Sequence, residues 1–309
     1  MANGLVKVLT GYQTWTNAQT GAVLMIGSAA CWGMGTVMSK AALGVFPPLP
    51  LLVTQLTASI AVLWLATLVV RAPYHPALLL HGWPGLLEPG LAYVLGAVGL
   101  QLTSASNASV IGTLEPVFVM AIAAVFLREI VRVRAWLLAG MAIAGTIIVS
   151  TAYAETGGGA ASITGDLLEL GAVLAASLYV IFSRKSVFSL HPVPLAASQQ
   201  TFGLACAITV MAVSSLVQGW QDVSHIQPAQ WAFAALTGVV QYAAAFLCYL
   251  FALKRLPASR AALFLLLIPV FGFAGSVVFL GESISILQIV GSAMIVAALV
   301  LLHQTHARD

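Results

Sequence analysis

Residues 258–280 read ASRAALFLLLIPVFGFAGSVVFL, and residues 105–127, at an offset of 153, read ASNASVIGTLEPVFVMAIAAVFL. The later stretch carries one charge, Arg260 near its start, and then an unbroken apolar run. A bilayer core about 30 Å thick takes roughly 20 mainly apolar residues wound as a helix. No water satisfies backbone groups inside hydrocarbon, so only helices and closed barrels cross it. Barrel strands alternate apolar and polar side chains, and these runs do not. Each stretch therefore reads as a membrane-crossing helix. The copies agree at Ala105-Ser106 with Ala258-Ser259, Pro116-Val117-Phe118 with Pro269-Val270-Phe271, and Val125-Phe126-Leu127 with Val278-Phe279-Leu280. Just beyond, Glu129 meets Glu282.

The rest of the chain follows suit. Hydrophobic residues make up 61% of the 309 and charged residues only 7%, too little charge to cover a soluble surface. Ten spans can be cut, at about 21–44, 51–70, 85–101, 106–127, 134–153, 166–183, 194–217, 229–253, 258–280 and 284–302. Breaks fall at Ser104-Ala105-Ser106-Asn107, at Lys254-Arg255-Leu256-Pro257, at Gly281-Glu282-Ser283, and at the proline joints Pro47-Pro48 and Pro192-Val193-Pro194. The first apolar run continues to Phe46, past the cleavage-like Ser28-Ala29-Ala30-Cys31, so it reads as a retained helix.

Lys and Arg orient the spans, because cytoplasmic loops carry the excess. Both tails and the second, fourth, sixth and eighth loops, with their helix ends, hold 11 of the 12. Lys40 is the exception. Both termini are thus expected in the cytoplasm.

A second register supports duplication. At an offset of 144, Gly21, Gly27 and Ser39 meet Gly165, Gly171 and Ser183, and Lys40 meets Arg184. Residues 1–155 and 156–309 each hold five spans, with Gly157-Gly158-Gly159 at the joint. Five is odd, so the second half enters from the opposite side. The expected fold is all-α and polytopic, ten transmembrane helices as two inverted five-helix repeats. That architecture suits alternating access around a midplane site.

Pro116-Val117-Phe118 with Phe126-Leu127-Arg128-Glu129, repeated as Pro269-Val270-Phe271 with Phe279-Leu280-Gly281-Glu282, resembles the EamA-type repeat of the drug/metabolite transporter superfamily. Trp32-Gly33 with Lys40 is similar to its opening signature. Arg128 stands where the family pattern has glycine. The resemblance implies a ten-helix exporter of small metabolites in the bacterial inner membrane, with its cavity built from helices one, three, four, six, eight and nine. Within the superfamily, the overall pattern is most similar to bacterial YddG-type exporters of aromatic amino acids.

Glu115, in the fourth span, is the acidic residue expected at mid-depth. An ionisable side chain there costs roughly 2.5–3.5 kcal/mol on insertion scales, so it should face protein or water. It is either a partner for a substrate amine, a proton site, or a helix-to-helix hydrogen bond on the small face of Ala108 and Gly112. In the first span Ser28, Trp32, Gly35 or Thr36, and Ser39 share a face, either cavity or tight packing. Tyr93, Ala97 and Gln101 share one on the third, Tyr179 and Ser183 on the sixth, and Gln241, Ala245, Cys248 and Tyr249 on the eighth. Across the repeats Gly35 meets Tyr179 and Gly96 meets Tyr249, so one wall is open and the other aromatic. The expected substrate-binding set is Trp32, Tyr93, Gln101, Glu115, Tyr179, Ser183, Gln241 and Tyr249. Lys40 either meets a carboxylate at the outer mouth or snorkels. Pro116 and Pro269 bend their helices, as hinges or plain kinks. Glu129 and Glu282 read as structural helix-end groups.

Other classes are less well served. The histidines read as loop or tail residues, which leaves no serine–histidine pair at membrane depth. No Walker phosphate loop occurs. The three cysteines lie in apolar runs as packing residues, and His303 with His306 has no further metal ligand nearby. A net charge of +3 without a basic run gives no nucleic-acid surface. The expectation is a carrier, neither enzyme nor channel, without cofactor or metal. Its partners are the lipid bilayer and a small solute, and it acts as a monomer or weak homo-oligomer. Few charges and several rings point to amino acids, aromatic or large apolar ones preferred. The alternative is a lipophilic cation or drug.

Overall fold

The computed structural model describes residues 17–73, 75–102, 111–112, 114–154, 163–280 and 286–306. The turn at 104–107, the joint at 157–159, Glu282 and the tail residues Lys7 and Arg308 lie outside the described residues. The side chains of Lys40 and Gln101 lie outside them too, although their helices are described.

Ten helical units occupy the described residues, with no strand among them. They are α1 (Asn17–Leu43), α2 (Pro48–Val69), α3 (77–102), α4 (Glu115–Phe126), α5 (Val133–Ala154), α6 (Ile163–Ser189), α7 (Pro192–Gln218), α8 (Pro228–Leu253), α9 (258–280) and α10 (Ile286–His306). α1, α2, α6, α7 and α8 are long and apolar enough to cross a bilayer, and α4, α5, α9 and α10 carry shorter apolar segments. Exposed Leu65, Leu68, Val69, Val125, Leu137 and Leu216 give the outside of the bundle a hydrocarbon surface.

The starts follow local chemistry. α2, α7 and α8 each open on a proline, where the missing N–H had no helical partner to lose. His191 Nδ1 accepts from Val193 N at 3.3 Å and caps α7. Burial and the nearby Lys254 hold that imidazole below its usual pKa, which keeps the nitrogen free to accept. Inside the spans, Thr36, Thr54, Thr67, Thr146 and Thr201 each donate to the carbonyl four residues back, at 2.8–3.1 Å, which satisfies these five hydroxyls within their own helices.

The helices of one half pack mainly on those of the other. α1 lies against α8 and α9, and correspondingly α6 lies against α3 and α4. α2 meets α7, α4 meets α9, and α5 meets α10. This is the pairing that a two-fold relation between residues 17–154 and 163–306 demands. It recurs in atomic detail. A Cβ at Gly85 would overlap the Gln199 backbone, and one at Gly238 would overlap the Gln55 backbone. Gly85 and Gly238 are equivalent at the offset of 153, Gln55 and Gln199 at 144.

Four helices are broken, again in pairs. α3 runs from Ala77–Gly82 through a 3₁₀ turn at Trp83–Leu86 and a kink at Leu87–Leu91 into Ala92–Leu102. Glu88, at φ −145° and ψ 126°, leaves helical geometry. α8 has its π turn at Val239–Ala244. α4 follows a turn at Leu114, and α9 passes through a 3₁₀ turn at Leu265–Leu267.

These breaks correct several expectations. α3 starts at Ala77, not 85, which moves Glu88 from a first turn to the interior of the unit. Glu115 is the first residue of its segment and not the centre of a continuous helix. Pro116 and Pro269 each occupy the first turn of the segment after a break. α6 continues to Ser189, so Arg184 and Lys185 are helical. His81, His303 and His306 are helical as well, with His81 Nδ1 3.0 Å from Ser186 Oγ.

Candidate solute site between the repeats

The breaks converge on one space. A cavity of about 180 Å³ lies where α1, α3, α4, α8 and α9 meet. From the first repeat come Trp32, Thr36, Glu88, Tyr93 and Glu115. From the second come Gln241, Tyr249, Leu265 and Ile268. Glu88 and Gln241 are equivalent at the offset of 153, and so are Glu115 and Ile268.

The α1 stripe faces α8, partly as cavity and partly as packing. Ser28 Oγ donates to Ala245 O at 2.9 Å. Trp32 stands edge-on to Phe246 at 5.1 Å and to Tyr249 at 5.5 Å between ring centroids. Ser39 Oγ donates to Gln241 Oε1 at 2.6 Å and accepts from Gln55 Nε2 at 2.8 Å. Gln55 Nε2 also donates to Thr237 Oγ1 at 2.7 Å. This chain fixes the Gln241 amide with its oxygen on Ser39 and its nitrogen turned away.

Several polar groups at the cavity lack protein partners. The buried Tyr249 hydroxyl and the Trp32 indole N–H make no hydrogen bond, although Trp32 lies near the Tyr93 hydroxyl. Glu88, Glu115 and Gln241 bring two carboxyl groups and an amide to the same lining. No Lys, Arg or His is among the lining residues. Buried polar groups are normally satisfied, so such a cluster marks a place where a ligand or water completes the bonding. The Tyr93 ring continues the aromatic surface to Tyr242, 5.2 Å away.

Five residues of the expected set line this cavity: Trp32, Tyr93, Glu115, Gln241 and Tyr249. Tyr179 and Ser183 stand one layer back. Tyr179 hydroxyl donates to Gln199 Oε1 at 3.1 Å, Gln199 Nε2 donates to Ser183 Oγ at 3.0 Å, and the Tyr179 ring stacks on Tyr249 at 6.4 Å. α6 therefore backs the wall and does not line it. Gly35 sits against the Gln241 side chain, where a Cβ would fall 2.5 Å from Gln241 Cβ. Nothing lies within 4 Å of a Cβ placed at Gly112, so no tight helix contact forms there. Pro116 is buried beside Glu115 and Pro269 follows Ile268, each adjoining a lining residue.

Glu88 was not in the expected set. Two signals pointed to it. Leu87-Glu88-Pro89 repeats the triplet Leu114-Glu115-Pro116, and the offset of 153 maps it onto Gln241. Glu129 takes the structural role expected of it. Its carboxylate accepts from Ala258 N, Ser259 N and Ser259 Oγ at 2.8, 3.0 and 2.6 Å, tying the α4–α5 loop to the start of α9.

A ten-helix bundle of two repeats, with broken helices around a shared cavity, defines a multi-pass membrane transporter. The EamA-like transporter family matches residues 19–151 and 163–303, and the chain belongs to it. An uncharacterized transporter, YvbV, of Bacillus subtilis is 27% identical over 91% of this chain and 91% of its own length. A probable amino-acid metabolite efflux pump of Salmonella typhimurium is 27% identical over 87% of this chain and 89% of its own. A solved crystal structure, 21% identical, covers 93% of this chain and 98% of that one with a TM-score of 0.76, a likeness of fold.

Proposed function

We propose that the protein is a secondary exporter that moves amino acids, aromatic or large apolar ones by preference, across the bacterial inner membrane. The halves 1–155 and 156–309 alternate access to the cavity between them, with both termini cytoplasmic. The protein works as a monomer or weak homo-oligomer and performs no chemistry on its cargo. One observation carries this reading: the cavity joins two carboxyl groups, the unpartnered Trp32 N–H and Tyr249 hydroxyl, and the ring faces of Trp32, Tyr93 and Tyr249. An ammonium fits the first, a carboxylate the second, and an aromatic or apolar side chain the third. Aromatic contacts add about 0.5–1.5 kcal/mol per pair beyond buried area. Sugars need more hydrogen bonds and phosphates need Arg clusters, neither of which the lining offers. The efflux-pump relative supports the same class.

Counterflow with purified protein in liposomes tests it. Tryptophan, phenylalanine or methionine should exchange faster than glutamate or glucose, and the rate should saturate. Movement of sugar phosphates alone would overturn the substrate reading. The second reading, a lipophilic cation, is favoured by Glu88, which doubles the acidic groups facing the rings. Transport of cationic dyes without amino acids would select it.

A further inference from the structure

Glu88 and Gln241 hold the same register position at the interruptions of α3 and α8, a kink at Leu87–Leu91 and a π turn at Val239–Ala244, and both face the cavity. Interruptions of a helix of this kind often mark functional positions. Here each aims one polar side chain at the same space from opposite halves. The two side chains are near-isosteres of opposite hydrogen-bonding character. A carboxylate only accepts. The Gln241 amide is bound to donate, because its oxygen is already engaged by Ser39, and Ser39 in turn accepts from Gln55.

The surroundings extend this difference. On the Glu88 side, Glu115 adds a second acceptor group. The unpartnered Tyr249 hydroxyl and Trp32 N–H line the same cavity and add donors. We propose that this repeat-related pair reads the two ends of a zwitterion: Glu88 holds the solute's ammonium, and Gln241, helped by Tyr249 and Trp32, holds its carboxylate. The proposal rests on the amino-acid reading above and adds to it which residue selects which charge. An ammonium has three donors, enough to reach both acidic groups. Among the described lining residues the carboxylate meets neutral donors only, and none of them carries a fixed positive charge to trap it.

The test exchanges the two characters. Wild-type, Glu88→Gln and Gln241→Glu proteins are placed in liposomes and loaded with labelled tryptophan. Competition is read with tryptamine, which keeps only the ammonium, and indole-3-propionate, which keeps only the carboxylate. On wild type, each single-charge probe should compete at least tenfold more weakly than tryptophan, the loss expected for a charge-assisted hydrogen bond. Glu88→Gln should weaken tryptophan about tenfold and raise indole-3-propionate relative to it. Gln241→Glu should raise tryptamine relative to tryptophan by a similar factor.

An unchanged ranking in both folded variants, while wild type still carries tryptophan, overturns the pair assignment and leaves the amino-acid reading standing. Should either variant misfold, the wild-type ranking decides: a single-charge probe that matches or beats tryptophan overturns the assignment. Wild-type protein that carries none of the three solutes removes the amino-acid reading and this assignment together.

Discussion

Two walls of one cavity can be compared position by position. In the first repeat, Glu88 stands at the kink of α3 and Glu115 opens α4 just after the turn at Leu114. In the second, the same positions hold Gln241 in α8 and Ile268 in α9. The backbone is interrupted at both pairs, and the Gly–Gln crossings at Gly85 and Gly238 match, although Glu88 leaves helical φ/ψ. The chemistry does not: the acidic groups of the cavity belong to one repeat. Duplication thus supplies a symmetric frame, and a few substitutions at its breaks give that frame a direction. Scaffold positions should respond equally in the two halves, and lining positions unequally.

The largest effect should fall on the frame. Gly85→Val and Gly238→Val each drive a side chain into a facing backbone. Overpacking of this kind costs roughly 1–3 kcal/mol and more where backbone must move. Both variants should lose most of their monodisperse yield on size exclusion after solubilisation. A large loss in one and none in the other would break the symmetry.

Next comes the charge difference. Two acidic groups share a cavity without a basic partner among its lining residues, so one of them needs a proton or a cationic solute for company. With Glu88 assigned to the ammonium, Glu115 is the proton site. Glu115→Gln should lower exchange at least tenfold and flatten its dependence on pH while the protein stays folded. An unaltered pH profile would remove Glu115 from that role.

The smallest effect separates lining from backing. Tyr249→Phe deletes an unpartnered hydroxyl at the cavity, so stability should hold while tryptophan affinity falls severalfold. Tyr179→Phe deletes a buried bond to Gln199, so stability should fall by about 1 kcal/mol while affinity holds. Paired thermal-shift and competition measurements would show the crossing pattern. The same response from both would erase the distinction between the layers.

The sequence made the fold legible because its physics is one-dimensional. Run length against bilayer thickness, Lys and Arg at loop ends, and the 153-residue echo between 105–127 and 258–280 do not depend on tertiary contacts. The breaks were less legible. A span cut at 85 places Glu88 in a first turn, where an acidic residue is unremarkable. Only the six helical residues Ala77–Gly82 and the 3₁₀ turn at Trp83–Leu86 before it put Glu88 in the interior. Tyr179 and Ser183 were read on a shared face of α6, but a helix face does not say which layer it meets; Gln199, on α7, claims both. Arg128 departs from the family glycine at φ 53°, the left-handed backbone that explains why glycine suits that position.

The cross-pairing of the helices has a consequence for synthesis. α1 to α5 find most of their packing surfaces on α6 to α10. As the first five helices enter the bilayer they have few partners to settle against, and small-residue and polar contacts that hold membrane helices together must wait for the second five. The two repeats are therefore not separable modules in the manner of beads on a string. They are interlocked like the fingers of two hands, and the chain reaches its working shape only when the last helix, α10, closes on α5.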